Sequence, residues 1–316
     1  MMRHQTSAPW QGYLALSASM ALVGAYIALS KPLVAVLPVL LVAWLRFGIG
    51  ALAMLPWLRK PIDEPVLNRQ TKWLIFLDSW FGNFLFSVLM LFGVSLTTAS
   101  NAGVILAFIP AMVALLSWLF LREPLTHQTL LAIALAAAGI AWYAWLQGST
   151  NEPSHPLAWL GNLLVFGAVC CEAAYAVIGK KLAGQLRPRR VAALINLWGL
   201  VLCTPAGLWL LSRDTFAAMQ SVHWWLLIFY ALAASVGTVW LWIAGLRSVP
   251  ANHAGVFTVW LPVSAAAVGV LVLGESMSVG QACALGLALI GVVLTTWQRH
   301  APPTAKGTPP PPPWAG

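Results

Sequence analysis

The apolar residues of this chain fall into long unbroken blocks, not at alternate positions and not along one stripe of a helix. Ten blocks can be drawn, over residues 10–30, 34–58, 73–96, 102–121, 129–146, 157–179, 191–211, 224–246, 254–273 and 280–297. Each is near the roughly 20 residues a helix needs to cross the hydrocarbon layer. The blocks are too long and too uniformly apolar for barrel strands, and a backbone facing lipid must satisfy its hydrogen bonds internally. The pattern predicts an all-α integral membrane protein with ten transmembrane helices. A polar linker over 148–156, with Gly148, Ser149 and Pro153, separates a first part, 1–147, from a second, 157–298. The tail over 299–316 holds Pro302, Pro303 and a proline run over 309–313, and is expected to be extended and solvated.

Composition agrees. Of 316 residues, 60% are hydrophobic and 8% charged, with a mean hydropathy of +0.82, too little charge to cover a soluble domain of this length. Cys170, Cys171, Cys203 and Cys283 sit inside apolar blocks with no metal-ligand spacing, so they read as reduced thiols acting as small hydrophobes. Neither a metal nor a cofactor motif is present. Arg3 before the first block resembles the start of a signal peptide, but the block is too long for one and is read as a retained helix.

The net charge of +9 invites a nucleic-acid reading, yet no nucleic-acid module is recognisable, and basic loops account for the charge. If the N-terminus is cytoplasmic, the loops on its side hold Arg3, Arg59, Lys60, Arg69, Lys72, Arg122, Lys180, Lys181, Arg187, Arg189, Arg190, Arg247, Arg299 and Lys306. The other side holds only Lys31 and Arg213, and Arg46 lies within a span. This bias predicts a multi-pass protein of a bacterial inner membrane with both termini in the cytoplasm and the 148–156 linker in the periplasm.

The two halves repeat. At an offset of 152, Gly93 falls on Gly245, Ala102, Gly103 and Val104 on Ala254, Gly255 and Val256, Pro110 on Pro262, Glu123 on Glu275, and Gly139 on Gly291. At an offset of 149, Gly12, Ala25, Tyr26 and Lys31 fall on Gly161, Ala174, Tyr175 and Lys180. Leu and Ala match often by chance in apolar helices; Gly, Pro, Glu and Lys seldom align together. Five helices per repeat, an odd number, forces the second repeat to enter the membrane inverted, which creates two pseudo-symmetric gates around a midplane site.

The residues from Ala99 to Pro110, followed by Glu123 and Gly139, and the partial echo in Ala254, Gly255, Val256, Pro262, Gly274, Glu275 and Gly291, resemble the drug/metabolite transporter superfamily, EamA type. Lys31, Pro38 and Arg46 stand where the first repeat of that family has them. The resemblance covers nearly all of the chain except the tail. It implies two inverted five-helix repeats around a central cavity, and a secondary transporter of small metabolites or drugs such as amino acids, with export as the family-weighted direction. The second repeat has no arginine matching Arg46; Asn196 stands nearby.

Several residues are candidates for the site. Arg46, near the middle of its span, reads either as a contact for an anionic substrate group or as a structural cation bonded to helix ends or carbonyls. Asp78 and Glu172 are the acids well inside spans and are the candidates for proton coupling; their structural alternatives are neutralisation by Lys72 and by Lys180 or Lys181. Pro110 and Pro262 interrupt helices in mid-membrane, either to bare polar backbone to a cavity or only to bend the chain. Trp80, Tyr175, Trp240 and Trp260 are aromatic candidates for a cavity wall, against a reading as interface anchors or lipid-facing bulk. Glu123 and Glu275, at matched helix ends, read as structural.

The expected partners are a small-molecule substrate, the lipid bilayer and protons; the chain carries no mark of its oligomeric state, homodimer included. An intramembrane enzyme would need a catalytic constellation, and no His-Glu-x-x-His, paired-Asp or Gly-x-Ser-x-Gly element occurs. A facilitated-diffusion uniporter or importer, and a non-transporting scaffold or sensor, stand as alternatives to an exporter.

Overall fold

The computed structural model describes residues 9–60, 67–122, 156–182, 186–211, 216–246 and 255–297, with a few positions between 130 and 142. Every regular element among them is helical. Six continuous stretches are long and apolar enough to cross a membrane: Trp10–Val36, Arg69–Leu96, Ala99–Phe120, Ala158–Gly179, Pro188–Leu210 and Ser221–Trp242. Val39–Ala53 and Phe257–Leu271 are shorter apolar helices. Large apolar side chains point outward, with Trp209 85% and Trp225 71% exposed, as suits a surface wetted by lipid. Most of the predicted helix over 129–146, Glu123, most of the linker and the tail lie outside the described residues; the described positions between 130 and 142 are helical.

The blocks of the sequence become broken helices, and the breaks have identifiable causes. The first block is α1 (Pro9–Leu29), followed at once by α2 (Lys31–Val36). Pro38 forces Leu37 out of helical backbone to φ −124°, ψ 147°, so the second block resumes as α3 (Val39–Ala53). The third block runs as α4 (Arg69–Ser79), a π-helical segment Trp80–Leu85 and α5 (Phe86–Leu96). Pro110 divides the fourth into α6 (Ala99–Leu106) and α7 (Ile109–Leu121). The later blocks form α8 (Ala158–Leu182), α9 (Pro188–Leu210), and α10 (Ser221–Leu232), which passes through a π-helical segment Ala233–Gly237 into α11 (Thr238–Leu246). A 3-10 turn Gly255–Val259 leads into α12 (Trp260–Leu271), and α13 (Val279–Trp297) ends the described chain.

The internal repeat is visible in the packing. The first helix of each half packs on helices of the other: α1 on α11 and α12, and α8 on α5 and α7. A methyl group added to Gly161 of α8 would lie 3.0 Å from the Gly93 carbonyl oxygen of α5, and one added to Gly245 of α11 would lie 3.0 Å from the Gly12 carbonyl oxygen of α1. These are the same contact made twice, at matched positions of the repeat. Gly161→Leu should therefore force α8 off α5 and cost about 1–3 kcal/mol, read as a lowered unfolding temperature of the purified protein in detergent. An unchanged temperature would mean that the helices separate there without cost.

The repeat also builds a polar knot at the centre. The π-helical residues 81–85 fall on 233–237 at the offset of 152. A π turn inserts a residue and redirects the side chains that follow it. In the first half, Asn83 Nδ2 donates to the Ile195 carbonyl of α9 at 3.1 Å. In the second, Ser235 Oγ donates to Asn196 Oδ1 at 3.0 Å, and Asn196 Nδ2 donates to the Phe47 carbonyl of α3 at 3.0 Å. The first π segment thus serves a backbone carbonyl directly, and the second holds the Asn196 amide that serves one.

Candidate functional site

Between the two halves lies a cavity of about 70 Å³. Its lining is Met20 of α1, Leu106 of α6, Ala107, Ile109 and Pro110 at the α6–α7 break, Glu172 of α8, Thr258 before α12, and Leu261 and Pro262 of α12. Pro110 and Pro262, equivalent in the repeat, therefore face one space from opposite halves. Glu172 is the charged side chain among the described lining residues. A water takes about 30 Å³ in the liquid, so the cavity holds about two and no metabolite. The conformation is contracted around the site.

The other predicted residues do not line this cavity. Arg46 is 6% exposed and sits in the polar knot. Its Nη1 donates to Ser87 Oγ and its Nη2 to Asn83 Oδ1 at 3.3 Å, while its guanidinium lies over the rings of Phe47 and Tyr230 at 4.6 and 5.6 Å. No described group accepts from Nε, and no carboxylate pairs with the cation among the described residues. Trp80 is sandwiched between Phe76 and Phe84, at 6.1 and 5.2 Å between centroids. Tyr175 packs on Gly82 and on Ile75, Leu182 and Ile195. Trp240 and Trp260 are 53% and 45% exposed.

Asp78, at the end of α4, is 1% exposed, and no donor among the described residues reaches its Oδ1. Neither Asp78 nor Glu172 has a cation within ion-pair distance among the described side chains. Asp78, Tyr175 and Glu172 stand within electrostatic range of one another, and Tyr26 is in range of both Glu172 and Arg46.

At the α1–α2 junction, Lys31 and Glu275 form a brace between the two halves. Lys31 Nζ donates to Glu275 Oε1 at 2.6 Å. The Ala99 N–H donates to the same oxygen at 2.9 Å, and the Ser100 N–H and Oγ–H donate to Oε2 at 3.0 Å each. Glu275, in the connection between α12 and α13, thereby caps the start of α6 and neutralises the lysine that begins α2. Burial works against the charge on Glu275, but the hydrogen bond from Lys31 and those from the Ala99 and Ser100 N–H groups outweigh it and hold the carboxyl below its ordinary range. The brace joins α2, α6 and the α12–α13 connection, and the helices next to it in the chain, α1 and α12, line the cavity together with α6.

Sequence reasoning matched Lys31 with Lys180 and Glu123 with Glu275 but had no means of pairing Lys31 with Glu275, 244 positions away. It also passed over Ser79, Asn83 and Ser87, which serve the Arg46 and Ile195 contacts. Their spacing of four, one polar stripe inside an apolar block, was the available signal.

Comparison with known proteins places the molecule. Residues 10–145 and 159–297 each match the EamA-like transporter family. The chain is 31% identical over 296 residues to the uncharacterized transporter YetK of Bacillus subtilis, covering 92% of this chain and 88% of that one. It is 26% identical over 254 residues to the uncharacterized transporter YyaM of the same organism, 79% of this chain and 82% of that one. A solved crystal structure superposes with a TM-score of 0.61 at 17% identity, over 92% of this chain and 98% of the other, a likeness of fold. With two matches spanning nearly all of an all-α, multi-pass chain, the protein belongs to the EamA-like transporter family and is a membrane transporter.

Proposed function

We propose that the protein is a secondary transporter that exports a small metabolite or drug, amino acids included in the class, across a bacterial inner membrane by alternating access, with protons as the coupling ion. The observation that carries this reading is the cavity on the inter-repeat seam, where Pro110 and Pro262 meet and Glu172 supplies the charge. A proline bares a carbonyl one turn back and weakens the helix there, so two matched prolines give two matched hinges around one site. A carboxylate in a membrane-depth cavity is costly to retain without a use, and Glu172 can hold either a proton or a cationic group of the substrate, not both. That competition couples substrate movement to a proton gradient, with Asp78 as the second acid on the route.

Both termini lie in the cytoplasm in this reading, supported by the concentration of basic residues in alternate loops. The Lys31–Glu275 brace then closes the cavity on the periplasmic side. The test is reconstitution into liposomes holding a pH-sensitive dye. Amino acids, amines and common antibacterial compounds are added one at a time, and a transported solute changes the internal pH only when protein is present. If a transported solute is found by counterflow and moves no protons, coupling is wrong and transport stands; if no solute crosses by either readout, the transporter reading of this cavity fails.

A further inference from the structure

The outer surface of the molecule carries a second opening, apart from the cavity between the halves. A groove of about 850 Å³ runs between α4 and α9, lined by Arg69, Gln70, Lys72, Trp73, Phe76 and Trp198. Its two ends differ in chemistry. Arg69, Gln70 and Lys72 are exposed in the first turn of α4, which Asn68 caps through the Thr71 N–H at 2.7 Å. Neither cation is held by a carboxylate among the described residues. Deeper, Trp73 stacks on Phe76 at 5.2 Å and 23° from parallel, and Trp198 of α9 meets Phe76 edge-on at 5.2 Å and 80°. From Arg69 to Phe76 is about 10 Å of helix rise, the step from a membrane interface into the acyl region.

We infer that this groove is a binding site for an anionic phospholipid, its phosphate on Arg69 and Lys72 and an acyl chain along Trp73, Phe76 and Trp198. Two adjacent cations at the mouth, without a carboxylate partner among the described residues, select for negative charge, and an interfacial basic pocket between membrane helices is a recognised geometry for such headgroups. The aromatic wall, with Trp73 59% and Trp198 40% exposed, requires an apolar chain attached to that charge. A free anion has nothing to place there, and a neutral lipid leaves the cations unmatched. The groove also lies on the seam between the halves, because α4 carries Ser79, whose Oγ donates to the Ile195 carbonyl of α9 at 2.8 Å. A bound lipid spans the same two helices.

The test uses purified full-length protein equilibrated with an equimolar mixture of phosphatidylglycerol and phosphatidylcholine of identical acyl chains, with retained lipid counted by native mass spectrometry. Wild type keeps phosphatidylglycerol in preference. Arg69→Gln with Lys72→Gln loses that preference by roughly 30-fold, at about 1 kcal/mol for each cation. Arg69→Lys with Lys72→Arg, which retains both charges, keeps the preference and guards against a folding artefact. Trp198→Ala lowers retention of both lipids alike. Equal retention of the two lipids by wild type, or an undiminished preference in the double Gln variant, overturns the assignment. Displacement of the lipid by inorganic phosphate at the same concentration also overturns it, in favour of a free-anion site.

Discussion

Glu172→Gln abolishes gradient-driven accumulation of substrate in proteoliposomes, while exchange of labelled for unlabelled substrate persists at higher substrate concentration because the charge that held a cationic group is gone. The glutamine keeps the size of the side chain and its place in the cavity beside Pro110 and Pro262, so both hinges still move. What it removes is titration. With one proton exchanged per substrate, a gradient of one pH unit supports about tenfold accumulation, since a pH unit is worth about 1.4 kcal/mol; the variant should hold a ratio near one. Asp78→Asn separates the roles of the two acids. Asp78 is buried outside the cavity lining, so its loss slows proton delivery without changing the final ratio. A Glu172→Gln protein that accumulates like wild type removes Glu172 from coupling, and a wild type indifferent to the gradient makes facilitated diffusion the better description.

The sequence made the architecture legible because membrane helices announce themselves by length and because repeats align rare residues. Pro110 with Pro262 was found by offset alone, and both line the cavity. Glu172 was picked out because an acid in an apolar block is conspicuous whatever surrounds it. The breaks were harder. Pro38 signals a halt, but the π segments at Trp80–Leu85 and Ala233–Gly237 contain no proline and depend on which carbonyls the other half offers. Long-range polar pairs were invisible for the same reason. Nothing near Asn196 in the chain reveals that its amide serves Phe47 and receives Ser235. Aromatic residues were the least legible. Trp240 and Trp260 were cavity-wall candidates in a chain whose tryptophans read mostly as interface anchors or lipid-facing bulk, and packing separates the two: both are exposed and absent from the lining.

Breaking the brace should open the cavity toward the α1–α2 end. Glu275→Gln removes the ion pair with Lys31 and leaves one amide oxygen to serve the donors of Ala99 and Ser100. Charge-assisted hydrogen bonds of this kind contribute about 2 kcal/mol net, so the balance between closed and open forms should shift roughly 30-fold. The readout is a cysteine placed at Met20, a lining position, in a protein whose four native cysteines have been replaced. A membrane-impermeant thiol reagent applied on the brace side should label it at least about tenfold faster in Glu275→Gln than in the parent. The same opening should occur in the parent at low pH. The carboxyl of Glu275 is held below its ordinary range, so the brace is fully present above that range and is lost as pH falls through the depressed value, not before. The exchange Lys31→Glu with Glu275→Lys discriminates a cap from a simple ion pair. It restores opposite charges but sets a lysine against the N–H groups that begin α6, where a cation is disfavoured. Labelling should therefore remain fast. If the exchange restores slow labelling, attraction between the two side chains alone closes this end, and the contacts to Ala99 and Ser100 are incidental.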